Sequence, residues 1–160
     1  MLSDLLPGFP HLQNIHPLVV HFPLAFLTGA VGLYILAWLL RWDWWAWLPF
    51  WLLLLGTLTA GLAVAIGLRA EPGVMVAPSV RAALLEPHED LMLTTLALAV
   101  LLTVWAAIAR PLPQRGRVLF VLLLLALLAV MTRGADYGGR MVYDYNAGGN
   151  ACPQPIDFTQ

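Results

Sequence analysis

The stretch "LVVHFPLAFLTGAVGLYILAWLL", residues 18–40, carries no Asp, Glu, Lys or Arg. A run of roughly 17–25 such residues is what a helix needs to cross a bilayer. Residues 48–68, 91–109 and 118–132 are equally free of formal charge. The last run is short, and Arg133 extends it by snorkelling to the interface. The whole chain of 160 residues is 61% hydrophobic and 11% charged, against roughly 25% charged in a soluble domain. All eight basic residues are arginine. The sequence predicts one all-α membrane domain over residues 1–160: a four-transmembrane-helix bundle with spans at about 17–40, 48–68, 87–109 and 117–133, followed by a polar tail at 134–160. The first run lacks a basic flank and a small-residue cleavage site, so it is expected to stay as helix one rather than leave as a signal peptide.

Four spans put both termini on one side. The two short connections opposite hold Arg41, Arg110, Arg115 and Arg117. Arg69, Arg81, Arg133 and Arg140 lie on the terminal side. The count is a tie, but arginine density favours the short connections as cytoplasmic. The expectation is a multi-pass protein of a bacterial inner membrane with both termini outside the cytoplasm. Trp38, Trp42, Trp44, Trp45, Trp47, Trp51 and Trp105 form an aromatic belt at the opposite interface.

Lipid tails are as apolar as leucine, so such helices associate through small residues and polar contacts. Helical spacing aligns His21, Ala25, Gly29 and Gly32 on helix one, and Gly56, Ala60, Ala63 and Gly67 on helix two. On helix three it aligns His88, Met92, Thr95, Ala99, Thr103 and Ala106. Helix four offers only Ala126 and Ala129 and reads as lipid-facing filler. Pro17 and Pro87 suit first helical turns, while Pro23 kinks helix one and opens space at His21. Glu86, Glu89 and Asp90 complement a helix N-terminus. In the tail, Gly138-Gly139 and Gly148-Gly149 flank "RMVYDY", which predicts a short extended or hairpin-like cap over the bundle mouth.

Several functions are excluded. No ionisable residue crosses the bundle interior and no broken midplane helix is evident, which argues against transport. There is no nucleophile–base arrangement, no phosphate-cradling loop and no basic patch for nucleic acid. Cys152 has no internal partner and reads as an unreactive thiol, with lipidation or intermolecular pairing as the alternatives.

The motifs "NIHPLVVHFPLA" (14–25), "EPHEDLM" (86–92) and "GGRMVYDYNAGG" (138–149) occur in this order. Over about residues 11–149 the chain resembles the DUF2231 family of small bacterial four-helix membrane proteins, departing from its pattern after Tyr143. The resemblance implies a redox setting for His16, His21, His88 and the Gly138-Gly139…Tyr143 segment. Three readings follow. In the first, a b-type haem near the non-cytoplasmic face is held by His21 and His88, with His16 as an outer partner and Met92 as a reserve ligand. Arg69, Arg81, Arg133 or Arg140 then pair with propionates. His16 and His21 are about 140° apart on a regular helix, so both face one iron only where the Pro23 kink or an unwound first turn allows it. In the second, copper, zinc or iron is bound by His16, His21, His88 and Glu89. In the third, the chain is a non-catalytic anchor or accessory subunit of a cytochrome or other redox complex. An electron carrier or accessory fits better than an enzyme in all three, and homo-oligomer formation stays open.

Overall fold

The structure is a computed structural model and describes residues 15–109 and 111–147. A single helical turn, α1 (His16–Val19), leads into α2 (His21–Leu40). A 3₁₀ turn at Asp43–Ala46 leads into α3 (Trp47–Ala70). After a 3₁₀ turn at Glu71–Gly73 come a one-turn helix, Pro78–Val80, a π-helical turn, Arg81–Leu85, and α4 (Glu86–Ala109). The last element is α5 (Arg117–Tyr145). Four helical stretches, His16–Leu40, Asp43–Gly73, Pro78–Ala109 and Arg117–Tyr145, are long and apolar enough to cross a membrane. The four-helix membrane bundle expected from the charge-free runs is therefore what the chain forms.

The helices close a ring: α2 packs on α3, α3 on α4, α4 on α5 and α5 on α2. Leu27, Tyr34, Leu53, Leu102, Phe120 and Leu124 fill its centre. The outward faces are equally apolar: Leu58 is 61% and Ile108 76% exposed, which suits a surface wetted by lipid. One polar contact crosses the core. Thr57 donates to the Leu53 carbonyl, so Thr103 donates to the Thr57 hydroxyl, the oxygens 2.8 Å apart.

Each expected seam fares differently. Ala60 and Ala63 on α3, and Thr95, Ala99, Thr103 and Ala106 on α4, are buried as read. On α2 most of the stripe faces outward instead, with only Gly29 half-buried, against Leu52. Ala25 is exposed and Gly32 has open space around it, while Pro23, Leu27, Ala30, Val31 and Tyr34 face the core. Close packing needs a small residue on one side of a contact only. Leu27 fills the notch at Gly56, where an added Cβ would lie 2.6 Å from Leu27 Cδ2. Helix four is no filler, since Phe120, Val121, Leu124, Leu127 and Met131 are buried.

The prolines and glycines account for two further departures. Pro23 leaves the Val19 carbonyl without its helical donor, and the helix is irregular at Val20, which keeps right-handed helical geometry between α1 and α2 within the one stretch His16–Leu40. Pro87 lies in the first turn of α4 as read, but the helical stretch that contains α4 starts nine residues earlier at Pro78. The π turn at Arg81–Leu85 widens the helix just ahead of Pro87 and accommodates the ring. The expected extended or hairpin-like cap is also replaced by helix: α5 continues through residues 134–145. Gly134 and Gly138 are packing positions against α4 rather than turn signals. The helix stops at Asn146 (φ 51°), where the Ala147 N–H donates to the Met141 carbonyl at 2.9 Å. Gly148-Gly149 and Cys152 lie outside the described residues.

At the tryptophan-rich end, Arg117 and Gln114 both reach the Asp43 carboxylate, at 3.0 and 3.2 Å. Gly116 (φ 78°) starts α5 beneath Trp105, with an added Cβ 3.1 Å from Trp105 Cζ2. Gly116→Ala combines a strained φ with this contact and should cost more than about 1 kcal/mol. Thermal unfolding in detergent checks it; an unchanged midpoint would show that the turn does not hold this end of the bundle.

Candidate functional site

At the opposite end two imidazoles face each other. His16 is the first residue of α1, and His88 is in the first turn of α4, just beyond the π turn and Pro87. Their ring centroids are 6.4 Å apart and the ring planes are perpendicular. Each ring is anchored to the neighbouring helix in the same way. His16 Nδ1 is 3.0 Å from the Ala63 carbonyl of α3, and His88 Nδ1 is 2.8 Å from the Gly134 carbonyl of α5. A carbonyl only accepts, so Nδ1 carries a proton in both rings, and in the neutral imidazole the lone pair is then on Nε2.

One turn beyond each accepting carbonyl is a glycine that seats the ring. A Cβ at Gly67 would lie 2.9 Å from His16 Cε1, and one at Gly138 would lie 3.0 Å from His88 Cε1. Real Cβ atoms essentially never approach as closely as the first, so a larger residue at Gly67 would displace the imidazole or the helix; at Gly138 the contact would be tight, and the ring would have to give by a few tenths of an ångström. The local sequence logic is the same in both places: a backbone acceptor, then glycine four residues on, one turn along the same helix face.

The other expected site residues are dispersed. His21 is exposed on α2, so the ring that faces His88 is His16 rather than His21. The reason is the angular separation of positions 16 and 21 on one helical stretch, about 140°, which leaves only His16 directed at α3. Met92 packs at Gly134, in the α4–α5 seam one turn below His88. Arg81 is half-buried and ion-paired with Glu71, and it also donates to the Glu71 and Val74 carbonyls at 3.4 and 3.5 Å. Arg69, Arg133 and Arg140 are exposed. Arg133 pairs with Asp136 at 3.5 Å and donates to the Tyr137 hydroxyl at 3.2 Å. Arg140 pairs with Asp144 at 3.5 Å. Glu89 is half-buried beside His88. Among the described residues, no three His, Cys, Asp or Glu gather into a group that could hold a metal ion.

Sequence reading missed Ala63, Gly134 and Gly138 as the partners of the histidines. The available signal was spacing: Ala63 follows His16 by 47 positions and Gly134 follows His88 by 46, and each has a glycine four residues on.

A family model described as "Predicted membrane protein (DUF2231)" matches residues 12–151. No curated protein and no solved structure matches the chain.

Proposed function

The chain belongs to the DUF2231 family of predicted membrane proteins, and we propose that it is an electron-transfer subunit holding a b-type haem between His16 and His88. The observation that carries this reading is the facing pair, 6.4 Å between centroids. Two metal–imidazole bonds of about 2 Å each, with half a ring beyond either nitrogen, span a separation of that order. A ligating histidine generally donates its other N–H to a carbonyl or carboxylate, which fixes the tautomer and makes the ligating nitrogen more basic. His16 and His88 both donate Nδ1–H to backbone carbonyls.

The donor set suits haem better than a bare ion. A zinc site takes four ligands, and copper or iron sites likewise draw on several side chains. Haem needs only two axial side chains and supplies one-electron chemistry when bound. Leu27 fills the notch at Gly56 deeper in the bundle, so in this reading the macrocycle lies at the rim. There Arg69, Arg133 and Arg140 are the exposed cations available to propionates. In this reading the histidine end faces away from the cytoplasm of a bacterial inner membrane, and the electron partner is a cytochrome or another membrane redox complex.

A second reading keeps the same hydrogen bonds as pure staples. His16 ties α1 to α3 and His88 ties α4 to α5, in an anchoring subunit without a cofactor. Oxidised and dithionite-reduced spectra of the detergent-purified protein, with metal analysis of the same sample, separate the two. A Soret band and a sharpened α-band on reduction are expected. A colourless protein with stoichiometric copper or zinc overturns haem in favour of an ion. A colourless, metal-free protein from cells supplied with both leaves the anchor.

A further inference from the structure

The two histidine stations are copies of each other, and the likeness extends along the four spanning helices, with Ala37, Thr57 and Met141 the buried residues of α2–α5 outside it among the described residues. His88 follows His16 by 72 positions, and Gly134 and Gly138 follow Ala63 and Gly67 by 71. The same shifts carry the buried face of one hairpin onto the other. Pro23, Leu27, Ala30, Val31 and Tyr34 of α2 map onto Thr95, Ala99, Leu102, Thr103 and Ala106, the complete buried set of α4. Pro49, Phe50, Leu53, Gly56, Ala60 and Ala63 of α3 map onto Phe120, Val121, Leu124, Leu127, Met131 and Gly134 of α5. Contacts between hairpins also come in an equivalent pair, α3 with α4 and α2 with α5. The residue types differ at nearly every one of these positions, so the repeat shows in burial and hydrogen bonding and not in the letters.

We propose that the chain is two copies of one helical hairpin, related by a pseudo-twofold axis along the membrane normal, and that it takes one ligand per chain on that axis. Parallel repeats of membrane hairpins have this symmetry. His16 and His88 are the equivalent ligand donors, one from each hairpin, and Gly67 and Gly138 are the equivalent positioning residues. The ligand is a single metal centre able to accept two like imidazoles from opposite sides. That part rests on the metal-centred reading above; the repeat and the positioning glycines do not.

The register also dictates how the hairpins pack. In the first, a large residue meets a small one, Leu27 at Gly56. The equivalent positions in the second hold the reverse, Ala99 and Leu127. Transplanting the second arrangement into the first therefore tests the repeat. Leu27→Ala leaves a void and Gly56→Leu a clash, so each should lower the melting temperature in detergent. The double variant L27A/G56L should melt above either single variant. A double variant whose loss is the sum of the two overturns the repeat.

The positioning role is read from the histidines of the ligand-free protein. With ¹⁵N-histidine labelling, Gly67→Ala should shift the His16 ring signals and leave His88 unchanged, and Gly138→Ala should do the converse. Gly32→Ala, which meets open space, should shift neither. Both glycine variants should also bind less haem than the parent, which should load to one haem per chain. Ring signals indifferent to Gly67→Ala and Gly138→Ala overturn the positioning role, and two haems per chain overturn the shared axial site. A colourless protein whose signals respond as described overturns haem while upholding the paired stations.

Discussion

On the proposed haem reading, His88→Ala should insert and fold but lose the sharp reduced α-band expected of the parent, His16→Ala should do the same, and His21→Ala should keep the parent spectrum. The expectation follows from which rings face each other. His16 and His88 are perpendicular at 6.4 Å, and His21 lies exposed on α2. On that reading, removing one of the two histidines would leave the proposed haem held from one side only. Loss of an outer-shell partner already costs roughly 10–100-fold in metal affinity, so loss of a ligand should exceed that range. Folding is a smaller concern. Each alanine deletes one hydrogen bond to a helix carbonyl, a net contribution of about 0.5–1.5 kcal/mol. The carbonyls at Ala63 and Gly134 sit within α3 and α5, where the backbone ladder also uses them. Helical circular dichroism and gel-filtration volume should therefore match the parent. If His21→Ala bleaches the protein and His16→Ala does not, the axial assignment fails and the exposed ring is the ligand.

The number of spans was legible because exclusion of charge is a property of the letters alone. Which face of each helix turns inward was not. In a soluble helix the polar side marks the outside. Here Leu53 is fully buried and Leu58 is 61% exposed on the same helix, with identical chemistry. Small residues supply the remaining clue, and they mislead where only one partner of a contact needs to be small. That is how the largely outward Ala25–Gly32 stripe of α2 came to look like a seam.

Glycine misled in the other direction. Gly134, Gly138 and Gly139 resemble turn punctuation, yet they lie within α5. Two of them mark close approach, Gly134 to Met92 and Gly138 to His88. The histidine end itself was half legible. That imidazoles from the first and third spans share one end follows from helix succession. The choice of His16 over His21 depends on how the first helix is rotated against α3, where the Ala63 carbonyl accepts from His16. The depth of His88 depends on the π turn before Pro87. Sequence periodicity carries neither the rotation of one helix against another nor such a turn.

Tyr34→Ala should be the most destabilising single substitution in the core, and it should leave the histidine end untouched. Tyr34 has no exposed surface. Its ring meets Phe120 edge-on at 5.2 Å, and its hydroxyl donates to the Pro111 carbonyl at 3.3 Å. Its counterpart in the second hairpin is Ala106, so this one side chain fills the centre of the bundle near the tryptophan-rich end. Phenylalanine-sized truncations in soluble cores cost about 3–5 kcal/mol. In a bilayer the transfer part of that cost is small, because lipid is as apolar as the core. The void and the lost ring contacts remain, which places Tyr34→Ala near the lower end of the range. Tyr34→Phe removes only the hydroxyl, and interhelical hydrogen bonds in membranes average about 0.6 kcal/mol. Unfolding midpoints in a denaturing-detergent titration should rank parent, Tyr34→Phe and Tyr34→Ala in that order, with the larger gap at the second step. Equal losses in the two variants would mean that the hydroxyl, not the ring, holds this end. His16 lies 18 positions from Tyr34, about 27 Å along the helix at a rise of 1.5 Å per residue. At that distance the cavity should change stability without changing the reduced spectrum or the histidine ring signals. A loss of both together would show that the two ends of the bundle are coupled through the core.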